Sequence, residues 1–302
     1  MLYLNPHFTI FGIDIYYYAV IIVSGMALAA FLSGLLMRRR NASSDLVYLF
    51  FIVCIPSALV CARLYWCITA GKPFSEWINV RDGGLSILGG LIGGISAGLI
   101  VCLIKKIDFL RMADCVLPTI PLAQAIGRWG NFVNGEVYGH VVTNPNLQWF
   151  PMAVEIGGKW HYALFFYESV INLIWFGVLF TLAWKMTKKP NGFLSGLFVL
   201  FYGVLRTIME PLRDNQFILG GTETMHSQIT AICMIVGAVI YLGVLLFVNY
   251  KKEGALFGSK KGDPCGITSF LPSSKEDVPD TKINLMKHLY ESDTEENHAQ
   301  KK

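Results

Sequence analysis

The residues with the most chemical content lie in one stretch, Gly127-Arg128-Trp129-Gly130-Asn131-Phe132-Val133-Asn134-Gly135-Glu136-Val137-Tyr138-Gly139. An arginine, two asparagines and a glutamate are threaded among four glycines where an apolar run ends. Charged groups at membrane depth are costly and are usually retained for a task. Glycines let backbone approach a ligand closely, and a guanidinium offers a two-pronged fork for phosphate or carboxylate. The stretch reads as a polar site for an anionic headgroup at a membrane surface. Arg128 and Asn131 share a face if the helix before them continues that far.

A second group is Tyr202, Arg206 and Glu210, followed by Arg213. The spacing i, i+4, i+8 projects the first three to one side of a helix. An Arg and a Glu one turn apart lower each other's burial cost and leave donors free for an anion. An ion pair that merely holds helices together is the structural alternative. A third element, Arg81-Asp82-Gly83-Gly84 to Gly93-Gly94, carries two small-xxx-small pairs, Gly89/Gly93 and Gly90/Gly94. Such pairs let helices pack closely in lipid. Tyr16, Tyr17 and Tyr18 form an interfacial tyrosine cluster, from which one hydroxyl could reach the polar site. Arg63, inside an apolar run, either snorkels to the surface or faces the cavity.

These groups need a membrane scaffold. Of the 302 residues, 54% are hydrophobic and only 15% charged, below the charge content of soluble domains. A run of roughly 20 apolar residues spans a bilayer. Seven runs are marked, Tyr16–Met37, Leu46–Trp66, Gly84–Ile104, Phe109–Ile126, Tyr162–Trp184, Phe193–Leu212 and Ile229–Val248. The fourth is interrupted by Arg111, Asp114, Pro118 and Pro121. The expected fold is therefore an all-α bundle of seven transmembrane helices. Basic clusters follow runs one, three, five and seven: Arg38 to Arg40, Lys105 and Lys106, Lys185 with Lys188 and Lys189, and Lys251 with Lys252. The excess of basic residues marks the cytoplasmic side, so the N-terminus is expected outside and the C-terminus inside. Residues 1–250 then form the membrane domain. The polar stretch 251–302 has nearly balanced charges and reads as a disordered cytoplasmic tail. The seven cysteines show no metal-ligand spacing and no disulfide framework. A net charge of +4 is explained by the cytoplasmic clusters and gives no case for nucleic acid.

The chain resembles the prolipoprotein diacylglyceryl transferase family of bacterial inner-membrane enzymes. The stretch from Gly127 to Glu136 with Gly139 is similar to the family signature G-R-x-G-N-F-x-N-x-E-x-x-G. Supporting matches are Ala62-Arg63-Leu64-Tyr65, the paired glycines up to Gly90, Asp114 with Pro118, Phe166-Tyr167-Glu168-Ser169, Tyr202-Gly203 with Arg206, Glu210 and Arg213, and Ser227-Gln228. The resemblance spans about Tyr16 to Val248. It implies transfer of a diacylglyceryl group from phosphatidylglycerol to the lipobox cysteine thiol of a prolipoprotein, releasing glycerol phosphate. No metal or redox cofactor is implied, and the partners are phosphatidylglycerol, prolipoprotein signal peptides and membrane lipids. By position, Arg128, Arg206, Glu210, Tyr18 and Tyr202 would be catalytic, with Tyr17 as neighbour to Tyr18. Arg128, Asn131, Glu136, Gly139 and Arg63 would bind substrate.

Three positions depart from the family pattern. Leu88 stands where the family often has a histidine proposed to activate the thiol. His161-Tyr162-Ala163 replaces a His-Pro, and Met225-His226 replaces an arginine before Ser227-Gln228. Two routes to a thiolate stay open: a thiol pKa lowered by Arg128 and Arg206, or a replacement base at His140, His161 or His226. The competing reading is a divergent paralogue that binds lipid or lipoprotein without catalysis.

Overall fold

The computed structural model describes residues 7–10, 13–40, 44–78, 84–135, 137–186, 189–213 and 223–253. The expected tail, 251–302, therefore lies outside the described residues from residue 254 onward.

Among the described residues, seven helical stretches are long and apolar enough to cross a membrane, in register with the seven runs. They are α1 (Tyr17–Arg39), α2 (Ser44–Thr69), α3 (Ile87–Ile104), the composite of α4 (Phe109–Val116) and α5 (Ile120–Val133), then α6 (Leu164–Lys185), α7 (Phe193–Met209) and α8 (Glu223–Glu253). The protein is thus a mostly helical, multi-pass membrane protein.

The expectation of an all-α fold is corrected by two short antiparallel hairpins. Strands β1 (His7–Ile10) and β2 (Ile13–Tyr16) pair just before α1. Strands β3 (Ala153–Ile156) and β4 (Lys159–Tyr162) pair just before α6. The second hairpin turns at Gly157 and Gly158, with φ of 59° and 78°. Two successive positive φ values are what a two-residue hairpin loop requires, and Gly-Gly supplies them without strain.

The fourth span is the least apolar and the most buried of the seven. Its position explains both, because α5 packs between α1 and α6. Its prolines fall where helices tolerate them. Pro118 and Pro121 occupy the first turns of a 3₁₀ segment (Leu117–Thr119) and of α5, where backbone N–H groups have no intrahelical partner. The paired glycines of α3 sort by face. A Cβ on Gly89 would come within 2.5 Å of Tyr65 Cβ and one on Gly93 within 2.5 Å of Cys61 Cβ, while Gly90 and Gly94 meet nothing closer than 3.6 Å. The Gly89/Gly93 pair therefore sets the approach of α3 to α2.

The main apolar core includes Leu36, Met37, Val47, Met112, Leu179 and Leu194. It lies toward the bundle end that carries the C-termini of α1 and α6 and the N-terminus of α7. A smaller core of Leu164, Leu205 and Met209 supports the opposite end, where the polar residues gather.

Candidate active site

Helix α5 does not stop at Ile126, where the apolar run ends. It continues to Val133, so Arg128 and Asn131 lie on its last turns and do share a face. The extension is tied down from α6. Ser169 Oγ donates to the Ala125 carbonyl at 2.9 Å and accepts from Trp129 Nε1 at 3.1 Å. On the other side Tyr18 of α1 packs over Gly130, where a Cβ would lie 2.9 Å from its ring. Tyr17 is exposed and instead packs its ring 5.2 Å from that of Phe8. Of the two tyrosines, Tyr18 is the one against the signature helix.

Arg128 Nη2 forms an ion pair with Glu168 Oε2 of α6, whose side chain is only 3% exposed. On α7, Arg206 Nη2 lies 3.1 Å from Glu210 Oε2. Arg213 follows that helix, with Nη2 3.8 Å from Glu168 Oε1 and Nη1 3.8 Å from Glu210 Oε2. Three guanidinium groups therefore face two carboxylates, leaving the cluster with one net positive charge. Burial pushes the Arg213 pKa down, and the neighbouring Arg206 pushes it further, against the pull of Glu210 and Glu168. The guanidinium stays charged, because arginine does not deprotonate in proteins.

The pieces close around a cavity of about 70 Å³ whose polar lining is Gln124, Arg128, Glu168, Asn172, Tyr202 and Arg206, with Leu205 and Met209 as apolar wall. Residues one turn apart supply the lining in pairs: Gln124 with Arg128, Glu168 with Asn172, Tyr202 with Arg206. Arg128 and Arg206, far apart in the chain, thus share one chamber. Such a chamber can hold an anion between two guanidinium groups and stabilise charge that grows on it. Among the described residues, no three His, Cys, Asp or Glu side chains come together as a metal site would need.

Tyr202 lines the cavity, and Glu210 orients Arg206 from its edge. Asn131 is half-buried one turn beyond Arg128 and does not line the cavity. Glu136 lies outside the described residues. Gly139 is a backbone junction. Its N–H donates to the Tyr162 carbonyl at 3.0 Å, it bridges Arg213, and its carbonyl contacts His161 Nδ1 at 2.9 Å. A Cβ there would lie 2.7 Å from Tyr162 Cβ, so the glycine serves close approach.

Arg63 is not among the residues that line this cavity. It grips backbone carbonyls of the segment between α2 and α3, Glu76 at 2.7 Å, Gly84 at 3.1 Å and Trp77 at 3.3 Å, and stacks over Trp66. Its fork is engaged by that loop. Leu88 is half exposed near the start of α3. Among the histidines, His140 Nε2 contacts the Pro211 carbonyl at 3.1 Å, and His161 is buried under Tyr138. The His226 side chain lies outside the described residues. Glu168, quoted above only as part of a supporting match and given no role there, and Asn172 are further site residues. Their signal in the chain is a lone Glu and an Asn one turn apart in an otherwise apolar run.

The fold and site thus define a helical membrane protein in which two arginines and a carboxylate line one chamber suited to an anion. The family model for prolipoprotein diacylglyceryl transferase matches residues 6–244. The chain is 36% identical over 250 residues, 82% of its length and 95% of the relative's, to the phosphatidylglycerol–prolipoprotein diacylglyceryl transferase of Finegoldia magna. It is 38% identical to that of Clostridioides difficile over 77% of this chain and 92% of the relative. With that of Streptococcus uberis it shares 34% identity over 76% and 90%. The chain belongs to the prolipoprotein diacylglyceryl transferase family.

Proposed function

We propose that this protein transfers the diacylglyceryl group of phosphatidylglycerol to the lipobox cysteine of prolipoproteins, the first step of bacterial lipoprotein maturation. The observation that carries the reading is the single chamber lined by Arg128 and Arg206. The relatives carry transferase names over most of the chain, and nothing favours a non-catalytic paralogue.

In the proposed reaction the cysteine thiolate attacks the glycerol carbon that bears the phosphate. A C–S bond forms, the C–O bond breaks, and its electron pair leaves on the phosphate oxygen. The phosphodiester carries one negative charge, and the departing glycerol phosphate carries nearly two. Charge therefore grows on the phosphate in the transition state, where preorganised cations are most effective. A cluster with one net positive charge suits that change. Arg128 and Arg206 hold the phosphate, Glu168 and Glu210 aim their guanidinium groups, and Tyr202 offers a hydroxyl at the chamber wall. Tyr18 packs the signature helix against α1, and Asn131 and Glu136 of the signature segment are assigned to substrate binding. The thiol proton passes to solvent water before attack, favoured by the positive field of the arginines, which lowers the thiol pKa.

The site faces the outer leaflet of the bacterial inner membrane, with the N-terminus outside and the C-terminus in the cytoplasm. The arginines and lysines at the opposite ends of α1, α3, α6 and α8 support this orientation. The test is complementation of a strain depleted of its own transferase, with thioether lipid on a reporter lipoprotein read by mass spectrometry. Restored modification is expected, and its absence from well-expressed protein refutes the reading. A periplasm-active reporter fused after Tyr250 is expected to stay silent.

A further inference from the structure

Arg213 does not line the chamber, yet buried polar atoms stop just short of one another around it. Its contacts to Glu168 Oε1 and Glu210 Oε2 are both 3.8 Å, too long for hydrogen bonds. Glu168 Oε1, Glu210 Oε2 and Arg213 Nε are all buried without a hydrogen-bond partner among the described residues. Glu210 Oε2 does lie 3.1 Å from Arg206 Nη2, but the approach lacks hydrogen-bond direction. Buried polar atoms normally find partners, and a cluster of exceptions needs a physical cause.

Competition for the guanidinium groups supplies one. A phosphate that engages Arg128 and Arg206 contends with Glu168 and Glu210 for the same donors. A carboxylate pushed off its arginine cannot stay buried and unpaired. Arg213 sits between both carboxylates, and a shift of about 1 Å would convert each long contact into a charge-assisted hydrogen bond. Its backbone is held in place. Arg213 N–H donates to the Glu210 carbonyl at 3.2 Å, Gly139 bridges Arg213, and His140 N–H donates to the Leu212 carbonyl at 3.2 Å. Any exchange of partners is therefore left to the side chains.

We propose that Arg213 is a carboxylate acceptor: when a lipid phosphate takes Arg128 and Arg206, Glu168 and Glu210 turn onto Arg213. Arg213 is then a positioning residue that sets how strongly the site's own carboxylates compete with substrate. The ligand identity rests on the function proposed above, whereas the exchange of partners rests on the geometry around Arg213.

The test uses full-length protein in lipid nanodiscs. Binding of headgroup-labelled phosphatidylglycerol and transfer to a synthetic lipobox peptide are measured on the same samples. Arg213→Gln is expected to weaken phosphatidylglycerol binding and raise its KM by about tenfold, with a smaller change in kcat. The double variant Glu168→Gln/Arg213→Gln removes one competing charge and is expected to regain about threefold or more of the lost affinity. Arg213→Lys keeps the charge without the fork and should fall between wild type and Arg213→Gln, which covers the case of a Gln variant that does not fold. Binding by Arg213→Gln within about twofold of wild type overturns the proposal. So does a double variant that binds more weakly than Arg213→Gln, the result of a purely structural role. Wild type that neither binds nor transfers defeats this inference together with the proposed function. Normal wild-type transfer beside an unaffected Arg213→Gln defeats the inference alone.

Discussion

Two buried ion clusters stand at opposite ends of this bundle, and they are built differently. At the basic end Asp114 is fully engaged. It pairs with buried Lys189 and accepts from Ser195 Oγ at 2.7 Å, Ser195 N–H at 2.9 Å and Gly192 N–H at 3.0 Å. The aspartate thereby satisfies free amides at the start of α7 and fastens that helix to α4. Burial lowers the Lys189 pKa, and Asp114 pulls it back. At the site end the carboxylates are under-bonded, two of their contacts are long, and a cavity opens beside them. Saturated hydrogen bonding makes a staple, whereas incomplete bonding around a cavity makes a place for a ligand.

The sharpest way to break this comparison is to remove one charge at each end. Arg206→Ala and Arg128→Ala are expected to lower thioether formation by about 10²–10³-fold, with a smaller loss of melting temperature than a break at the basic end, because Arg213 remains to pair Glu168 and Glu210. Arg206→Lys should remain damaging, because an ammonium lacks the bidentate fork. Asp114→Ala is expected to do the reverse. It leaves Lys189 buried and unpaired, at a stability cost of about 3–5 kcal/mol, while activity per folded molecule holds. Asp114→Asn/Lys189→Met removes both charges and should recover most of that stability. Unfolding in detergent, followed by helical circular dichroism beside the transfer assay, reads both quantities. Equal destabilisation at the two ends, with activity preserved in Arg206→Ala, would erase the distinction.

A smaller effect tests how the site end is braced. Gly139→Ala puts a methyl 2.7 Å from Tyr162 Cβ and 3.0 Å from the Leu212 carbonyl. The expected cost is about 1–3 kcal/mol of overpacking, together with reduced activity as Arg213 is displaced. A stable and fully active Gly139→Ala would show that the bridge to Arg213 does not position the cluster.

The spans are legible in the sequence because an uninterrupted apolar run of membrane length is rarely anything but a membrane helix. The ends of the spans are harder to read. Gly127, Gly130 and Asn131 resemble a loop by propensity, yet α5 runs through them because Ser169 and Tyr18 hold both of its sides. The second hairpin is announced by Gly157-Gly158 between alternating residues, a signal obscured by the interfacial character of its aromatics. In the site, Tyr202 and Arg206 are readable as polar residues in an apolar run, and Arg128 as one where a run ends. The partners of Glu168 are not, because its arginines come from α5 and the end of α7, and pairing between helices leaves no spacing in the chain. Arg63 is a charge in an apolar run that the chain alone cannot place: its donors reach backbone carbonyls between α2 and α3.

The smallest expected effect concerns the thiol base. Of the three candidate histidines, the two whose side chains lie among the described residues, His140 and His161, differ as tests. His161 is buried and supports the Gly139 carbonyl, so its removal would disturb the brace whatever its chemistry. His140 is less buried, and its ring contacts the Pro211 carbonyl. His140→Ala should therefore cost about 1 kcal/mol, the worth of one hydrogen bond, and leave kcat within about threefold of wild type. That outcome fits a thiolate generated by the field of Arg128 and Arg206, which needs no side-chain base. The electrostatic route also predicts that transfer rises with pH as the incoming thiol ionises, with an apparent pKa below that of the free peptide thiol. The measurement is the pH profile of kcat for wild type and His140→Ala with one lipobox peptide. Matching profiles support the field of the arginines, whereas abolished activity in folded His140→Ala would name the base and defeat the electrostatic account.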